Sequence, residues 1–371
     1  MQASRVWRSG VIAEHTAQMA TADDVAERLL GSFLGFVDVL AIHLGDRLGW
    51  YRSLADDGPA TATELAGRTG THPRYAREWL EQQAVSGLLE VSGDDGAPER
   101  VFSIDDAHAE VLTDATSLAY LAPIARMFGA VGPTFPLLLD AYRTGGGVSW
   151  EQLGADARES QADANRPWYD AQLADALAGV PDVHDRLATP GARVLDVGCG
   201  GGWSTIALAR AYPEARLDGV DIDEASVGMA TANAAGAGLA DRVTSRHADA
   251  ATLAEGAYDV AFAFECVHDM PHPVEVLAAA RRALKPGGVM VVMDEAVADA
   301  FAPDGDELER IMYGFSLFIC LPDSMSSPDS VGTGTVMRAS TLEGYGRDAG
   351  FESVSVLPIE DFGFWRFYLL R

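Results

Sequence analysis

The chain is poor in basic residues, and lysine is almost absent. Its 371 residues include 27 basic and 55 acidic ones, which gives a net charge of −28, and Lys285 is the one lysine. A surface this acidic repels phosphate backbones and anionic lipid headgroups, so neither nucleic acid nor a membrane surface is an expected partner.

Cysteine and long uncharged apolar runs are also scarce. Cys199, Cys266 and Cys320 are too few for a disulfide framework, and they lack the spacing of a metal site. No uncharged apolar run reaches the roughly 18 residues that suggest a membrane span, and no signal peptide is indicated. We therefore expect a reduced, cytoplasmic protein. Its 371 residues exceed the usual size of one domain, so we expect two.

The most informative motif is a glycine loop that follows an apolar strand. Residues 193–202 read Arg-Val-Leu-Asp-Val-Gly-Cys-Gly-Gly-Gly, and the glycines permit a tight turn that lies close to a ligand. A helix is predicted over Trp203–Ala211, and a strand over residues 217–220 leaves Asp221 at its carboxyl end. Ligands bind at this edge of doubly wound sheets, where a carboxylate can accept hydrogen bonds from a ribose.

Other nucleotide motifs fit this loop less well. Ser204 and Thr205 follow Gly202 where a dinucleotide loop needs its last glycine, and Lys285 lies too far downstream for a phosphate loop. The run resembles the first motif of class I S-adenosylmethionine-dependent methyltransferases. The resemblance implies that Asp221 and Ile222 contact the ribose side of the cofactor and that its amino-acid end is held by Asp196, Gly198, Cys199 and Gly200.

Later segments resemble the same family in the same order. At residues 246–250, the resemblance implies that Asp249 accepts from the adenine amino group and Ala250 donates its amide. Tyr258–Phe264 resembles the fourth strand, and residues 284–293 resemble the turn into the fifth strand. Asp249 could also cap a turn, and turn chemistry alone explains Lys-Pro-Gly-Gly.

The predicted fold is α/β, with a seven-stranded Rossmann-like methyltransferase sheet preceded by a mainly helical winged-helix domain. Residues 341–350 are predicted as a helix, and residues 354–357 and 364–370 as strands. The resemblance implies that the last strand is antiparallel to the others. We expect a winged-helix dimerisation domain over residues 1–110, a helical connector over 111–190 that contributes to the substrate pocket, and a cofactor-binding domain over 191–371.

The N-terminal region has a winged-helix pattern. A helix over residues 22–48 carries apolar residues on more than one stripe, which favours packing against a partner subunit. Thr61 and Glu64 have capping-box spacing, a second helix is predicted over residues 73–86, and a turn at residues 93–96 divides the wing.

This pattern also suggests DNA binding, which charge argues against. Residues 61–105 hold four arginines and eight acidic residues, whereas a recognition helix needs positive charge. The region resembles the dimerisation domain of small-molecule O-methyltransferases, which implies a homodimer. Residues 143–154, 165–169, 320–325 and 332–335 resemble a bacterial branch of these winged-helix enzymes.

A candidate base follows the fourth strand. Glu265-Cys-Val-His-Asp-Met-Pro resembles a segment of plant-type O-methyltransferases, with His268 and Asp269 matching and Met270 replacing a tryptophan. The resemblance implies that His268 is the general base, a role that suits histidine near neutral pH, and Glu265 could orient it. A lone histidine here could also be structural. His272 is four residues on, but Pro271 and Pro273 prevent a regular helix, so no metal is expected.

The acceptor pocket is expected to use aromatic and apolar residues outside the sheet. The substrate-binding candidates are Trp168, Met312, Tyr313 and Phe128, and Tyr169 is a candidate cofactor contact. Such side chains are more often core than pocket. The sequence predicts transfer of methyl from S-adenosylmethionine to a small organic acceptor, at oxygen first and at carbon or nitrogen next. A cofactor-binding regulator without turnover is the alternative.

Overall fold

The computed structural model describes residues 20–93 and 100–371. These residues form two compact units, of which the first ends at Gly132 and the second begins at Pro133. The division falls inside the predicted connector, and the predicted domain boundaries at residues 110 and 190 stay predictions.

The first unit is mainly helical and has a two-stranded wing. The wing strands pair antiparallel, and the predicted turn between them lies outside the described residues from Asp94 onward. The elements are α1 (Ala22–Arg47), α2 (Trp50–Asp56), α3 (Ala62–Thr69), α4 (Pro73–Val85), β1 (Glu90–Ser92), β2 (Val101–Ser103) and α5 (Asp106–Thr113), and α6 (Ala122–Thr144) crosses the boundary.

Local sequence explains where these helices begin. Thr21 with Asp24 and Thr61 with Glu64 form capping boxes at the starts of α1 and α3, which satisfy backbone N–H groups that a helix leaves free. The second box confirms the prediction from spacing. The core of the unit includes Trp79, whose ring centroid lies 4.8 Å from that of Trp50 and 4.9 Å from that of Tyr51.

Helix α1 presents apolar side chains to solvent. Phe33 is 63% exposed and Leu30 is 58% exposed, although both are large and apolar. Their exposed apolar neighbours on the same helix are Val25, Leu29, Leu34, Phe36, Val37, Leu40 and Leu44. A contiguous apolar surface of this kind marks an interaction site more often than chance exposure does.

Helix α6 is the one helix in the described part of the chain that is long and apolar enough to cross a membrane by length and composition. Half of its most apolar window, 50%, is buried inside the protein. A core helix passes the same test, so this helix is weak evidence for a span.

The second unit contains a seven-stranded sheet. Its strands are β3 (Arg193–Val197), β4 (Arg216–Asp221), β5 (Val243–His247), β6 (Tyr258–Phe264), β7 (Leu284–Glu295), β8 (Val354–Val356) and β9 (Trp365–Leu370). Their order is β5-β4-β3-β6-β7-β9-β8, and β9 runs antiparallel to both neighbours while the other pairs in the sheet are parallel. The predicted fold class is confirmed.

Helices cover this sheet. They are α7 (Trp150–Trp168), α8 (Ala174–Ala178), α9 (Pro181–Leu187), α10 (Trp203–Ala211), α11 (Glu224–Gly236), α12 (Pro273–Ala283), α13 (Glu307–Phe315), α14 (Leu321–Ser324) and α15 (Ala339–Asp348), with π-helical segments at Tyr169–Leu173 and Ser316–Cys320. β3 lies between β4 and β6, where the chain changes direction across the sheet. The carboxyl ends of these strands therefore meet at a topological switch point, which is where such sheets bind ligands.

Candidate functional site

The glycine loop leaves β3 in a conformation that suits glycine. Gly198 has φ 69° and Gly200 has φ 50°, both in the left-handed region. A Cβ on Gly198 would lie 2.8 Å from Sγ of Cys266, whereas a Cβ on Gly200 would meet no atom within 4 Å. The first glycine therefore permits close packing inside the protein, and the second borders open space.

Asp196 lies at the end of β3 beneath this loop and is only 1% exposed. Its Oδ2 accepts hydrogen bonds from Oγ of Ser204 at 2.7 Å and from Oγ1 of Thr205 at 2.5 Å. Its Oδ1 is buried and accepts no hydrogen bond from the residues that the structure describes. Burial raises the pKa of Asp196 to about 6, although the two hydroxyls oppose the shift.

Asp221 ends β4, next to the glycine loop. Its Oδ2 accepts from the amide of Gly200 at 2.8 Å, and its Oδ1 accepts from the amide of Asp223 at 2.8 Å. Arg158 pairs with Asp223 at 2.6 Å. The following Ile222 is 71% exposed, a high value for an apolar residue at the edge of a sheet.

Asp249 and Ala250 follow β5 at the same edge of the sheet. Asp249 is exposed, and its carbonyl oxygen accepts from the amide of Thr252 at 2.9 Å, so this segment does form a turn. Ala250 is buried. Their predicted contacts with adenine stay predictions.

Glu265 follows β6 with φ 53°, which is unusual for a residue with a side chain. Its Oε2 accepts from Nε2 of Gln161 at 2.9 Å and from Nδ2 of Asn165. Burial raises the pKa of Glu265 to about 7. Strained backbone of this kind is common at functional sites. Gln161 lies in no motif, and Asn165 begins the stretch 165–169 that resembles the bacterial branch, but the sequence assigned neither residue to the site.

The residues of this edge fit the cofactor that the sequence implies. The open space beside Gly200 leaves room for a ligand close to the backbone, and Oδ1 of Asp196 is a buried acceptor without a donor among the described residues. S-Adenosylmethionine carries an ammonium group that could supply such a donor.

His268 lies in a short turn after β6, buried to 2% exposure among carboxylates. Its Nδ1 lies 2.7 Å from Oδ1 of Asp294 and 3.2 Å from Oε2 of Glu295, and its Nε2 lies 3.2 Å from Oδ1 of Asp269. Burial alone would lower the pKa of His268, but the three carboxylates outweigh it and raise that pKa well above its usual value.

Asp294 and Glu295 end β7 and titrate together with His268. Burial alone would raise the pKa of Asp294, but the charge on His268 holds it below the usual value. Burial raises the pKa of Glu295 well above its usual range. The raised pKa of His268 and the lowered pKa of Asp294 favour a charged pair of these two side chains, and the raised pKa of Glu295 favours the protonated form of that carboxyl. Sequence reasoning missed both acids, although two acidic residues at the carboxyl end of an apolar strand were a usable signal.

Asp323 and Cys320 approach the same turn from the segment after α13. The backbone amide of Trp150 donates to Oδ1 of Asp323 at 2.6 Å. Burial, with the nearby charges of Asp269, Asp223 and Asp221, raises the pKa of Asp323 to about 7. Burial also raises the pKa of the Cys320 thiol.

The donor atoms around His268 form two sets compact enough to hold a metal ion. One set adds Asp269 and Cys320, and the other adds Asp294 and Glu295. Among the described residues His272 belongs to neither set. Imidazole–carboxylate contacts alone account for the short distances in the second set.

The predicted aromatic and apolar site residues lie in different surroundings. Trp168 is buried, with its ring 5.9 Å from that of Phe362 and 5.7 Å from that of Trp365. Tyr169 is buried with its ring 5.6 Å from that of Phe264, at the end of β6. Met312 is 2% exposed, Tyr313 is 38% exposed, and Phe128 belongs to the first unit.

Comparison with known proteins assigns a family. A methyltransferase domain matches residues 194–288, and an Rv2258c-like winged HTH domain matches residues 35–114. The 3-amino-4-hydroxybenzoate 4-O-methyltransferase of Streptomyces cremeus is 30% identical over 296 residues, which cover 75% of this chain and 76% of that protein. The 27-O-demethylrifamycin SV methyltransferase of Amycolatopsis mediterranei is 34% identical over 142 residues, which cover 38% of this chain and only 50% of that protein.

Solved structures share the fold over nearly the whole chain. The mitomycin 7-O-methyltransferase superposes with a TM-score of 0.68 at 24% identity, covering 94% of this chain and 98% of that one. Human N-acetylserotonin methyltransferase, solved with S-adenosylmethionine, gives a TM-score of 0.67 at 18% identity and covers 95% of this chain and 99% of that one.

The fold and the domain matches define a class I S-adenosylmethionine-dependent methyltransferase. The chain belongs to the family of small-molecule O-methyltransferases with an N-terminal winged-helix domain. S-Adenosylmethionine is its cofactor.

Proposed function

We propose that the enzyme methylates a hydroxyl oxygen of a small aromatic acceptor, with His268 taking the hydroxyl proton. The main support for this proposal is the 2.7 Å contact between Nδ1 of His268 and Oδ1 of Asp294. A carboxylate that accepts from Nδ1–H fixes the tautomer of the ring, so the proton would be taken at Nε2.

The raised pKa of His268 has a consequence for this role. The raised pKa favours an imidazolium in the resting protein, which would donate from Nδ1 to Asp294 and faces Oδ1 of Asp269 with Nε2. It can accept a proton only after it has lost one. Activity should therefore rise as the pH rises through the pKa of His268, and Asp294 and Asp269 act as positioning residues.

Cofactor binding is proposed at the edge formed by β3, β4, β5 and β6. When bound, S-adenosylmethionine supplies a methyl group on a positively charged sulfur. The buried free oxygen of Asp196 and the open space beside Gly200 support binding of its amino-acid end, and the carboxylate of Asp221 supports binding of its ribose. The further residues proposed for cofactor contact are Gly198, Cys199, Ile222, Asp249, Ala250, Glu265 and Tyr169.

The acceptor pocket is proposed beside the His268 turn. Tyr142 donates to the carbonyl oxygen of Leu317 at 2.9 Å, and the Phe135 and Phe318 ring centroids lie 6.2 Å apart, so side chains of α6 contact the segment after α13. The Streptomyces cremeus relative is named for an aromatic hydroxy compound. Trp168, Met312 and Tyr313 stay proposed substrate contacts, although burial of Trp168 and Met312 favours a packing role. The assignment of Phe128, which lies in the first unit, stays a prediction from the sequence.

A homodimer through α1 is also proposed. Helix α1 exposes large apolar side chains around Phe33, and the winged-helix match is compatible with packing through this region. The cytoplasm stays the expected compartment, since the three cysteines are free thiols.

The test replaces His268 by glutamine and measures cofactor affinity and turnover separately. Loss of the base should lower kcat by about a hundredfold or more while the affinity for S-adenosylmethionine changes little. His272→Gln, at the start of α12, is the matched control and should keep full activity. Unchanged turnover in His268→Gln contradicts the base. A product methylated at carbon or nitrogen contradicts oxygen transfer, and cofactor binding without turnover across an acceptor panel favours a regulator.

A further inference from the structure

Helix α7 packs with one face against the edge proposed to bind the cofactor. Arg158, Ala162 and Asn165 follow one another at steps of four and three residues, so they share that face. Asn165 donates to the carboxylate of Glu265 at the end of β6. A Cβ on Gly201 in the glycine loop would lie 2.9 Å from Cβ of Ala162. The helix therefore contacts both the loop after β3 and the end of β6.

Arg158 extends these contacts to the end of β4, where it holds Asp223 with two hydrogen bonds. Its Nε donates to Oδ2 of Asp223 at 2.6 Å, and its Nη2 donates to Oδ1 at 3.1 Å. Both side chains are only 13% exposed. A guanidinium and a carboxylate paired in this way fix each other's orientation, because the two parallel contacts allow little rotation.

Asp223 connects this ion pair to Asp221. The backbone amide of Asp223 donates to Oδ1 of Asp221 at 2.8 Å, and the amide of Gly200 donates to Oδ2 at 2.8 Å. The side chain of Asp223 also caps α11, because its Oδ2 accepts from the amide of Ser226 at 2.9 Å. Asp223 is therefore held by Arg158 on one side and by α11 on the other, and its amide orients the carboxylate of Asp221.

The same ion pair offsets negative charge at this edge. Burial raises the pKa of Asp221, and the nearby charge of Asp223 adds to the rise, although backbone amides oppose it. Burial alone would raise the pKa of Asp223 too, but hydrogen bonds from Arg158 and Ser226 outweigh it and lower that pKa. The guanidinium of Arg158 offsets the charge of Asp223 and so favours an ionised Asp221. An ionised carboxylate is the stronger acceptor for hydroxyl groups.

We propose that Arg158 is a positioning residue for the cofactor, which acts through Asp223 to orient Asp221 toward the ribose hydroxyls. This inference rests on the proposed function, which assigns Asp221 to the ribose. In this role Arg158 touches no part of the cofactor itself. Its loss should therefore weaken the contribution of the ribose hydroxyls to binding, whereas loss of a merely structural contact would weaken all ligands of the site alike.

The test compares S-adenosylhomocysteine with its 2′,3′-dideoxyribose analogue, which lacks both ribose hydroxyls. Calorimetry on the full-length enzyme gives the two dissociation constants, so the result depends neither on turnover nor on the acceptor. The wild-type enzyme should prefer S-adenosylhomocysteine by about 10- to 100-fold, because hydrogen bonds to a charged group are among the strongest in proteins. Arg158→Gln should reduce this preference by about five- to tenfold.

Two control variants frame this result. Arg186→Gln is the matched control, because Arg186 of α9 pairs with Asp182 at 3.0 Å in a segment that precedes β3, and it should keep the wild-type preference. Asp221→Asn should lose most of the preference. An equal loss of affinity for both ligands in Arg158→Gln would overturn the inference, because it would show a structural role alone.

The double variant Arg158→Gln/Asp223→Asn tests the connection through Asp223. If the two residues act together, the double variant should lose no more of the preference than Arg158→Gln does, and losses that multiply would overturn the connection. A wild-type enzyme without any preference would contradict the assignment of Asp221 to the ribose and overturn the inference with it. A preference that persists in Arg158→Gln but not in Asp221→Asn would overturn the inference alone.

Discussion

Asp294→Asn should lower the pKa of His268 and move the acidic limb of the pH–rate profile toward lower pH. Asparagine has the size of aspartate and an oxygen that can accept a hydrogen bond from Nδ1 of His268. The 2.7 Å contact can therefore persist while the negative charge is removed. The ring then loses the negative charge of Asp294, which is one of the groups that hold it protonated.

The size of the shift follows from the separation of the charges. Unit charges about 4 Å apart interact by about 4 kcal/mol at an effective dielectric constant of about 20. At about 1.4 kcal/mol for each pKa unit, this corresponds to about 3 units. Glu295, now without the charge of Asp294 beside it, becomes easier to ionise and restores part of the loss. We expect a shift of about 1 to 3 units.

The sign follows from the state of the base. His268 must be neutral to accept a proton, so kcat/KM rises as the pH rises through its pKa, and a lower pKa brings that rise to lower pH. The plateau should fall, because a weaker base transfers the proton less readily. The assay is kcat/KM against pH with S-adenosylmethionine at saturation, using any acceptor the enzyme methylates.

Asp299→Asn is the matched control, because its side chain is 89% exposed and follows the same strand. It should leave the acidic limb in place. The assignment of the acidic limb to His268 would be refuted if Asp294→Asn left the limb at the same pH. It would also be refuted if His268→Gln still showed the limb.

Three further predictions concern the cofactor edge and the dimer. Gly198→Ala should cost about 1–3 kcal/mol of stability and lower Tm, because the added Cβ meets Cys266. Gly200→Ala should lower cofactor affinity more than Tm, and equal losses of Tm in the two variants would contradict this prediction. Cofactor affinity should fall as pH falls through about 6, where Asp196 takes up a proton, and Asp196→Asn should remove that dependence in calorimetry. Phe33→Asp should convert a dimer to monomers in sedimentation velocity, because each buried side chain of this type contributes about 1.5–3 kcal/mol, whereas Phe301→Asp, 70% exposed outside α1, should not.

The sheet and its glycine loop could be predicted because short sequence patterns indicate each strand and the turn that follows it. The strand Tyr258–Phe264 and the helix Trp203–Ala211 agree with the structure at both ends, since apolar runs and flanking glycines mark their limits. The strand predicted over residues 354–357 ends one residue earlier in the structure, as Val354–Val356.

The surroundings of the candidate base could not be predicted in the same way. Asp294 and Glu295 lie at the end of β7, which is separated from His268 in the sequence by the whole of α12. Only the folded sheet brings these two carboxylates to the imidazole. The same limit applies to Trp168, because an apolar side chain that packs on Trp365 and one that lines a pocket have the same sequence signature.

The central claim is transfer of a methyl group from S-adenosylmethionine to an acceptor oxygen. The most direct measurement incubates the enzyme with methyl-deuterated cofactor and a panel of hydroxyaromatic acceptors that includes 3-amino-4-hydroxybenzoate, the compound for which the Streptomyces cremeus relative is named. Mass spectrometry then follows S-adenosylhomocysteine and the labelled product. We predict equal amounts of S-adenosylhomocysteine and of a product labelled at oxygen, both lost in His268→Gln. Tight cofactor binding without S-adenosylhomocysteine, or label at carbon or nitrogen, would contradict the account.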